Sequence, residues 1–170
     1  FLGVRRELLL DMQDAEKAFP TPRSWEMLSD AAHRLGVTDA ALDEQAYNTR
    51  LKAKATNAGA IVTFTGLVRD YNNEGGIDGI SLEHYPGMTE AAMMKLLEQA
   101  KMQFDLRSAG IVHRYGFVGN HEPIVWVGCA ASHRKAAFEA AEFVMDMLKK
   151  SVPLWKKEHQ DGDATWVAAK

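Results

Sequence analysis

With 170 residues, 46% of them hydrophobic, the chain has enough apolar material for one full core and a small appendage. A formal net charge of -3, from 20 basic and 23 acidic residues, gives no field that would draw nucleic acid or an anionic membrane, so any anion site must be local. The lone Cys129 excludes an intramolecular disulfide and a cysteine-based zinc site, no apolar run approaches the ~18 residues of a membrane span, and the opening FLGVRRELLLDMQD is too short and too soon acidic for a signal peptide, so a cytoplasmic location is expected.

Composition divides the chain near residue 56. Before that point RRELLLDMQDAEKAF and SWEMLSDAAHRLG read as helices separated by FPTP, with Ser24 as N-cap and Gly36 as the stop, and DAALDEQAYNTRLKAKA reads as a third helix. No strand pattern is visible there. Residues 1–38 are therefore read as a helical extension and 39–170 as the main domain, which is expected to fold without the extension.

From Asn57 onward strand-like runs alternate with glycine. AIVTFTGLVR and GISLEHY read as a hairpin joined by the long, turn-rich loop DYNNEGGIDG. TEAAMMKLLEQAKMQF spaces its apolar residues as a helix does, with Thr89 as cap and Met93, Met94 and Met102 as core filler. AGIVHRYG and PIVWVGCA follow as strands, SHRKAAFEAAEFVMDMLKK as a second main helix, and ATWVAA as a last strand. The order ββαββαβ predicts an α+β domain, a mostly antiparallel sheet with two main helices on one face.

The stretch MDMLKKSVPLWKKE places four lysines around a proline and a tryptophan. On a helical wheel, positions 137, 138, 141, 144, 145 and 148 form one apolar stripe; Lys149 falls about 80° from its centre and Lys150 about 180°. Lys150 reads as a solvated charge suited to the helix C-terminus. Lys149 reads as a rim residue whose stem lies on apolar surface while its ammonium can face a cleft. Pro153 must stop the helix and turn the chain back, with Trp155 anchoring Lys156 nearby. Lysines at a helix end are ordinarily solvated, and that reading stands beside the chemical one.

His133 and Arg134 follow Ser132 at a helix N-terminus, where exposed N–H groups favour an anion and a basic pair opposes the dipole unless a ligand offsets it. Arg69 closes the first strand and opens the loop, equally suited to a surface charge or a ligand contact. His84, His113, Glu83 and Glu122 are scattered in sequence. No metal-ligand spacing, phosphate-binding glycine loop or nucleophile elbow occurs, so neither a metal nor a cofactor is expected.

Taken together, AGAIVTFTGLVRD, LEHYPGMTE, IVHRYG, SHRKAAFEA, MDMLKKSVPLWKKE and the closing DATWV resemble, in order and spacing, the large catalytic subunit family of molybdopterin synthase (MoaE). The resemblance covers Ala58 to Val167. It implies an α/β-hammerhead type of α+β fold and a homodimer, each large subunit bound by a small, ubiquitin-like sulfur carrier whose C-terminal Gly-Gly bears a thiocarboxylate. It also implies sulfur transfer to cyclic pyranopterin monophosphate, twice, to build the dithiolene of molybdopterin within a heterotetramer. Because WVAAK carries no Gly-Gly, this chain is expected to accept the carrier tail. The resemblance places the two catalytic lysines on Lys149 and Lys156, substrate binding on Arg69, His133 and Arg134, and the lining of the carrier-tail pocket on Phe64 and Met145. Residues 1–38 instead resemble, faintly, the helical lid of MoxR-type AAA+ ATPases, without a Walker motif. An alternative reading is therefore a non-catalytic anion- or carrier-binding module associated with an ATPase.

Overall fold

A computed structural model describes residues 35–72 and 75–167. The expected helices ahead of Leu35, with Ser24 and FPTP, lie outside the described residues, as does Leu35's side chain. The described elements belong to one compact unit that begins at Arg34.

The chain opens with a strand, β1 (Leu35–Thr38), which runs parallel to β6 (Leu106–Arg114). The expectation that no strand precedes residue 56 is thus corrected. Gly36 pairs with Val112 rather than ending a helix. Four residues of a strand carry too short a pattern to be distinguished from a helix tail. Helix α1 (Glu44–Lys54) follows as expected, capped by Asp43, whose side chain accepts from the Ala46 N–H at 2.9 Å.

Strand β2 (Ala60–Leu67) pairs antiparallel with β8 (Pro123–Ala131), and β8 with β6, giving the first sheet in the order β1-β6-β8-β2. The second sheet is wholly antiparallel: β10 (Asp163–Val167), β9 (Leu154–Gln160), β5 (Gly79–His84) and β7 (Gly116–Gly119), in that order. The expected β2–β5 hairpin therefore does not form, since its two strands lie in different sheets. Part of the intervening loop is itself a small ladder, β3 (Tyr71–Asn72) against β4 (Gly75–Gly76). The architecture is α+β and mostly antiparallel, as expected, but with two sheets and more strands than ββαββαβ counts.

Helix α2 (Met88–Phe104) buries Met93, Leu96, Leu97 and Ala100. Met102 is exposed, not core filler. Gly87 stands at its N-cap with a left-handed φ of 84°, and its N–H donates to Glu90 at 2.7 Å. Thr89, expected as the cap, is instead the second residue of the helix and fully buried. Helix α3 (Arg134–Ser151) buries Ala137, Ala140, Ala141, Val144 and Leu148. Its stripe is rotated toward Ala140, leaving Phe138 exposed, and His133 is the N-cap.

Helices α2 and α3 cover one face of the first sheet, and α1 covers the other, where Leu51 joins Val112, Trp126 and Ala130 in a second small core. Gly128 makes that packing possible: a Cβ there would sit 2.5 Å from Trp126 and 2.7 Å from Leu51. The Trp126 indole then donates to Asn48 Oδ1 at 3.1 Å. Cys129 lies in the main core as expected, its thiol pushed up to about 12 by burial.

Candidate functional site

Where the last turn of α3 meets the second sheet, a cavity of about 900 Å³ opens. Its cations are Arg69, Lys149, Lys150 and Lys156, its anion is Glu158, and Met145 and Leu148 contribute apolar wall. The residues come from far-apart stretches, and each is placed by a local cause.

Lys149 and Lys150 occupy the final turn of α3, both exposed, and neither has an ion-pair partner among the described residues. The wheel had set Lys150 on the far side, yet both line the cavity, because the cavity wraps the end of the helix rather than one of its sides. Val152 is extended and Pro153 forbids another helical turn, so the chain enters β9. Thr89 fixes that turn: its hydroxyl donates to the Pro153 carbonyl at 2.9 Å and accepts from the Tyr85 N–H at 3.0 Å. A residue read from sequence as a helix cap is thus a clasp between α2 and the start of β9.

Because a strand alternates its side chains, β9 sends Leu154, Lys156, Glu158 and Gln160 to one face, and all four line the cavity, joined by Trp155 at the start of the strand. Lys157 faces the other way, donating to Glu83 at 2.6 Å with its ammonium 4.1 Å from the centre of the Trp166 ring. Lys156 donates to Glu158 Oε1 at 2.7 Å, and Asn72 donates to Glu158 Oε2 at 2.7 Å. The Lys156 hydrogen bond, then that of Asn72, with smaller charge contributions from Lys156 and Arg69, hold the Glu158 carboxyl below its ordinary range. The carboxylate therefore stays charged and tethers Lys156.

Arg69 reaches the cavity because β2 is broken by a bulge at Gly66/Leu67, after which Val68 is buried. Its neighbour's backbone is held from both sides, with Val68 N–H donating to the Glu122 carbonyl at 3.0 Å and His121 N–H to the Val68 carbonyl at 2.8 Å. An exposed arginine is thereby carried on a fixed backbone.

The other expected residues stand elsewhere. Phe64 is 41% exposed on β2 and does not line the cavity; its ring lies over Gly66, which pairs with the cavity residue Val125. His133 and Arg134 are exposed at the opposite end of α3, where the first turn holds no acidic residue and the N-cap makes no side-chain bond. At 1.5 Å per residue they lie roughly 22 Å along the helix from Lys149, too far to share its cavity within one protomer.

Sequence reasoning did not single out Glu158, Asn72 or His113 as site residues. Glu158 was signalled by its place two residues after Lys156, once LWKKEHQ is read as a strand. Asn72 and His113 have no local signal, because only folding brings β3 and β6 to β9. No group of His, Cys, Asp and Glu suited to a metal occurs among the described residues.

Residues 37–151 match the family described as MoaE protein. The chain belongs to the MoaE family. A molybdopterin synthase catalytic subunit of Cereibacter sphaeroides is 53% identical over 116 residues, covering 68% of this chain and 78% of that protein. Among solved structures, molybdopterin synthase from Staphylococcus aureus superposes with a TM-score of 0.72 at 26% identity, covering 80% of this chain and 97% of that one. The complex of subunits 1 and 2 of molybdopterin-converting factor from Helicobacter pylori superposes with a TM-score of 0.67 at 25% identity, covering 80% of this chain and 91% of that one. The MoaE match begins inside β1, so it takes in Val37 and Thr38, which the sequence reading assigns to the extension.

Proposed function

We propose that the protein is the catalytic subunit of a cytoplasmic molybdopterin synthase, a sulfurtransferase that converts cyclic pyranopterin monophosphate to molybdopterin. The sulfur donor is the thiocarboxylated C-terminal Gly-Gly of a small ubiquitin-like carrier, bound to a homodimer of this chain in a heterotetramer. The observation that carries the reading is the convergence of Lys149, Lys156 and Arg69 on one cavity, with Lys156 tethered by an ionised Glu158. Both reactants are anionic, and a partly enclosed cavity with fixed cations stabilises charge more than water does.

Lys149, with no competing carboxylate among the described residues, is the cation for the thiocarboxylate and for the charge that develops at its carbon. Lys156 holds the tail from β9, and Met145 supplies apolar wall for the Gly-Gly backbone. Phe64, beside Val125, guides the tail at the mouth. Arg69 binds the substrate phosphate. His133 and Arg134 serve the same substrate from a second copy of the chain, since their distance along α3 removes them from their own protomer's cavity. Cys129 relays no sulfur: a thiol raised to about 12 is not a thiolate at neutral pH. The domain responsible is taken as 39–170 together with β1.

The test is anaerobic product formation from the full chain, thiocarboxylated carrier and cyclic pyranopterin monophosphate, beside the Lys149→Ala variant. The wild type is expected to form the dithiolene and the variant to lose about two orders of magnitude or more in rate. A wild type that binds carrier but forms no dithiolene, where another synthase does, favours the binding-module reading. An unimpaired variant removes Lys149 from the chemistry.

A further inference from the structure

Beyond the lysines and Arg69, the cavity wall contains an imidazole to which the synthase reading gives no task. His113 lies on β6, 9% exposed, and is the least exposed ionisable residue lining the cavity. Its strand partners are Val37 on β1 and Val125 on β8, so the ring is flanked by aliphatic side chains on the core face of the first sheet. Ile80, Leu82 and Leu148 add to the same apolar wall.

The two ring nitrogens are placed differently. Nδ1 lies 2.8 Å from the Arg114 carbonyl oxygen, and since a carbonyl only accepts, Nδ1 carries the proton. Burial holds the imidazole below its ordinary pKa, so the neutral ring prevails. In a neutral ring protonated at Nδ1, Nε2 is an acceptor. Nε2 has no partner among the described residues, and it is not sealed off: the buried side-chain polar atoms without partners are Arg114 Nε and Asn120 Oδ1. The ring therefore presents one bare lone pair to the cavity from an apolar wall.

We propose that His113 Nε2 is a specificity-determining acceptor for an N–H donor on the substrate's pterin ring. The proposal rests on the synthase reading and deepens it. The cations of the cavity offer only donors, and the Glu158 carboxylate is already engaged by Lys156 and Asn72, so an N–H edge of a flat heteroaromatic ring needs another acceptor. A single acceptor in an aliphatic wall complements a planar ring edge that offers N–H, and a ring offering a carbonyl or a bare nitrogen at that edge leaves two acceptors facing each other. No proton is transferred in this role. His113 sets which edge of the ring faces inward, and so which carbons face the carrier tail.

Two substitutions separate this role from a structural one, since asparagine reproduces the position of Nδ1 and glutamine that of Nε2. His113→Asn keeps a donor for the Arg114 carbonyl and removes the acceptor. His113→Gln can restore an acceptor near Nε2 and gives up the anchor. In equilibrium titrations of the full chain with cyclic pyranopterin monophosphate, His113→Asn is expected to raise Kd about tenfold or more, and in steady-state assays with thiocarboxylated carrier to lower kcat/KM by at least that factor. His113→Gln is expected to recover most of that loss. The reverse order, with asparagine near wild type and glutamine impaired, assigns His113 to anchoring Arg114 and overturns the proposal. Independently of any variant, the 15N resonance of the unprotonated ring nitrogen in the wild type is expected to shift when substrate is added, and an unmoved resonance at saturation overturns the proposal as well. An active wild type with an indifferent His113→Asn rejects this inference alone, whereas a wild type that neither binds substrate nor forms product rejects it together with the synthase reading.

Discussion

Lys156 and Lys157 are neighbours in sequence and identical in chemistry, yet β9 assigns them to different environments. On the cavity face, Lys156 meets Glu158 and Asn72, both placed there by folding, and shares the space with Lys149 and Arg69. On the opposite face, Lys157 is held by Glu83 and the Trp166 ring, and His159 pairs with Ser81 at 2.7 Å while packing edge-on against Phe117. One face is an electrostatic site and the other a staple across the second sheet. Residue type does not decide the role of these lysines; the two-residue period of the strand does.

The comparison breaks most visibly in catalysis. Lys156→Ala is expected to lower product formation by about two orders of magnitude in single-turnover assays with thiocarboxylated carrier, while Lys157→Ala stays within a few-fold of wild type. Equal losses in the two variants would show that the faces are not functionally distinct. Lys156→Arg tests geometry: the charge remains, but a planar fork replaces a point donor at the Glu158 carboxylate, and partial recovery is expected.

A smaller effect concerns acid stability. Glu158 is more acidic in the folded protein than its ordinary 4.5, first through Lys156 and then through Asn72. A carboxyl of that kind contributes stability that is fully present above pH 4.5 and is lost as pH falls through the lower folded value. Glu158→Gln should therefore cost roughly 1 kcal/mol near neutrality and flatten the acid limb below pH 4.5, as read by urea denaturation at a series of pH values. His113 acts at higher pH. Its imidazole is held below 6.5 by burial, so the folded state binds that proton less readily than the unfolded chain, and stability falls as pH drops below 6.5 toward the folded value. His113→Asn should flatten this upper part of the limb and leave the Glu158 part in place.

The smallest expected effect sharpens the structural face. Lys157→Ala removes a half-exposed ion pair and a cation–π contact and should cost about 0.5 kcal/mol in thermal or denaturant unfolding, with little change in activity. A loss several times larger would mean that the staple holds β5, β9 and β10 together rather than decorating them.

Much of this was legible in the chain. Helices α2 and α3 and strand β2 have apolar patterns long enough to declare their period, the central strands β6 and β8 are nearly continuous apolar runs, and Pro153 fixes the end of α3 wherever it packs. The six blocks that resemble the large-subunit family carried the function, and the wheel brought Lys149 to the cavity rim and read Lys150 as a solvated charge at the helix end, where it is exposed although it too borders the cavity. What only the tertiary structure decided is pairing across distance. Strand β1 is four residues long and reads as a strand only beside β6; LWKKEHQ is polar on both faces and becomes a strand between β5 and β10. Thr89 clasping Pro153, Asn72 reaching Glu158 and His113 opening onto the cavity are contacts between residues far apart in sequence. Local patterns encode the period of an element, because that depends on a few neighbouring residues, whereas the partners of a polar side chain are fixed only when the sheets close on each other and every buried donor and acceptor must find its match.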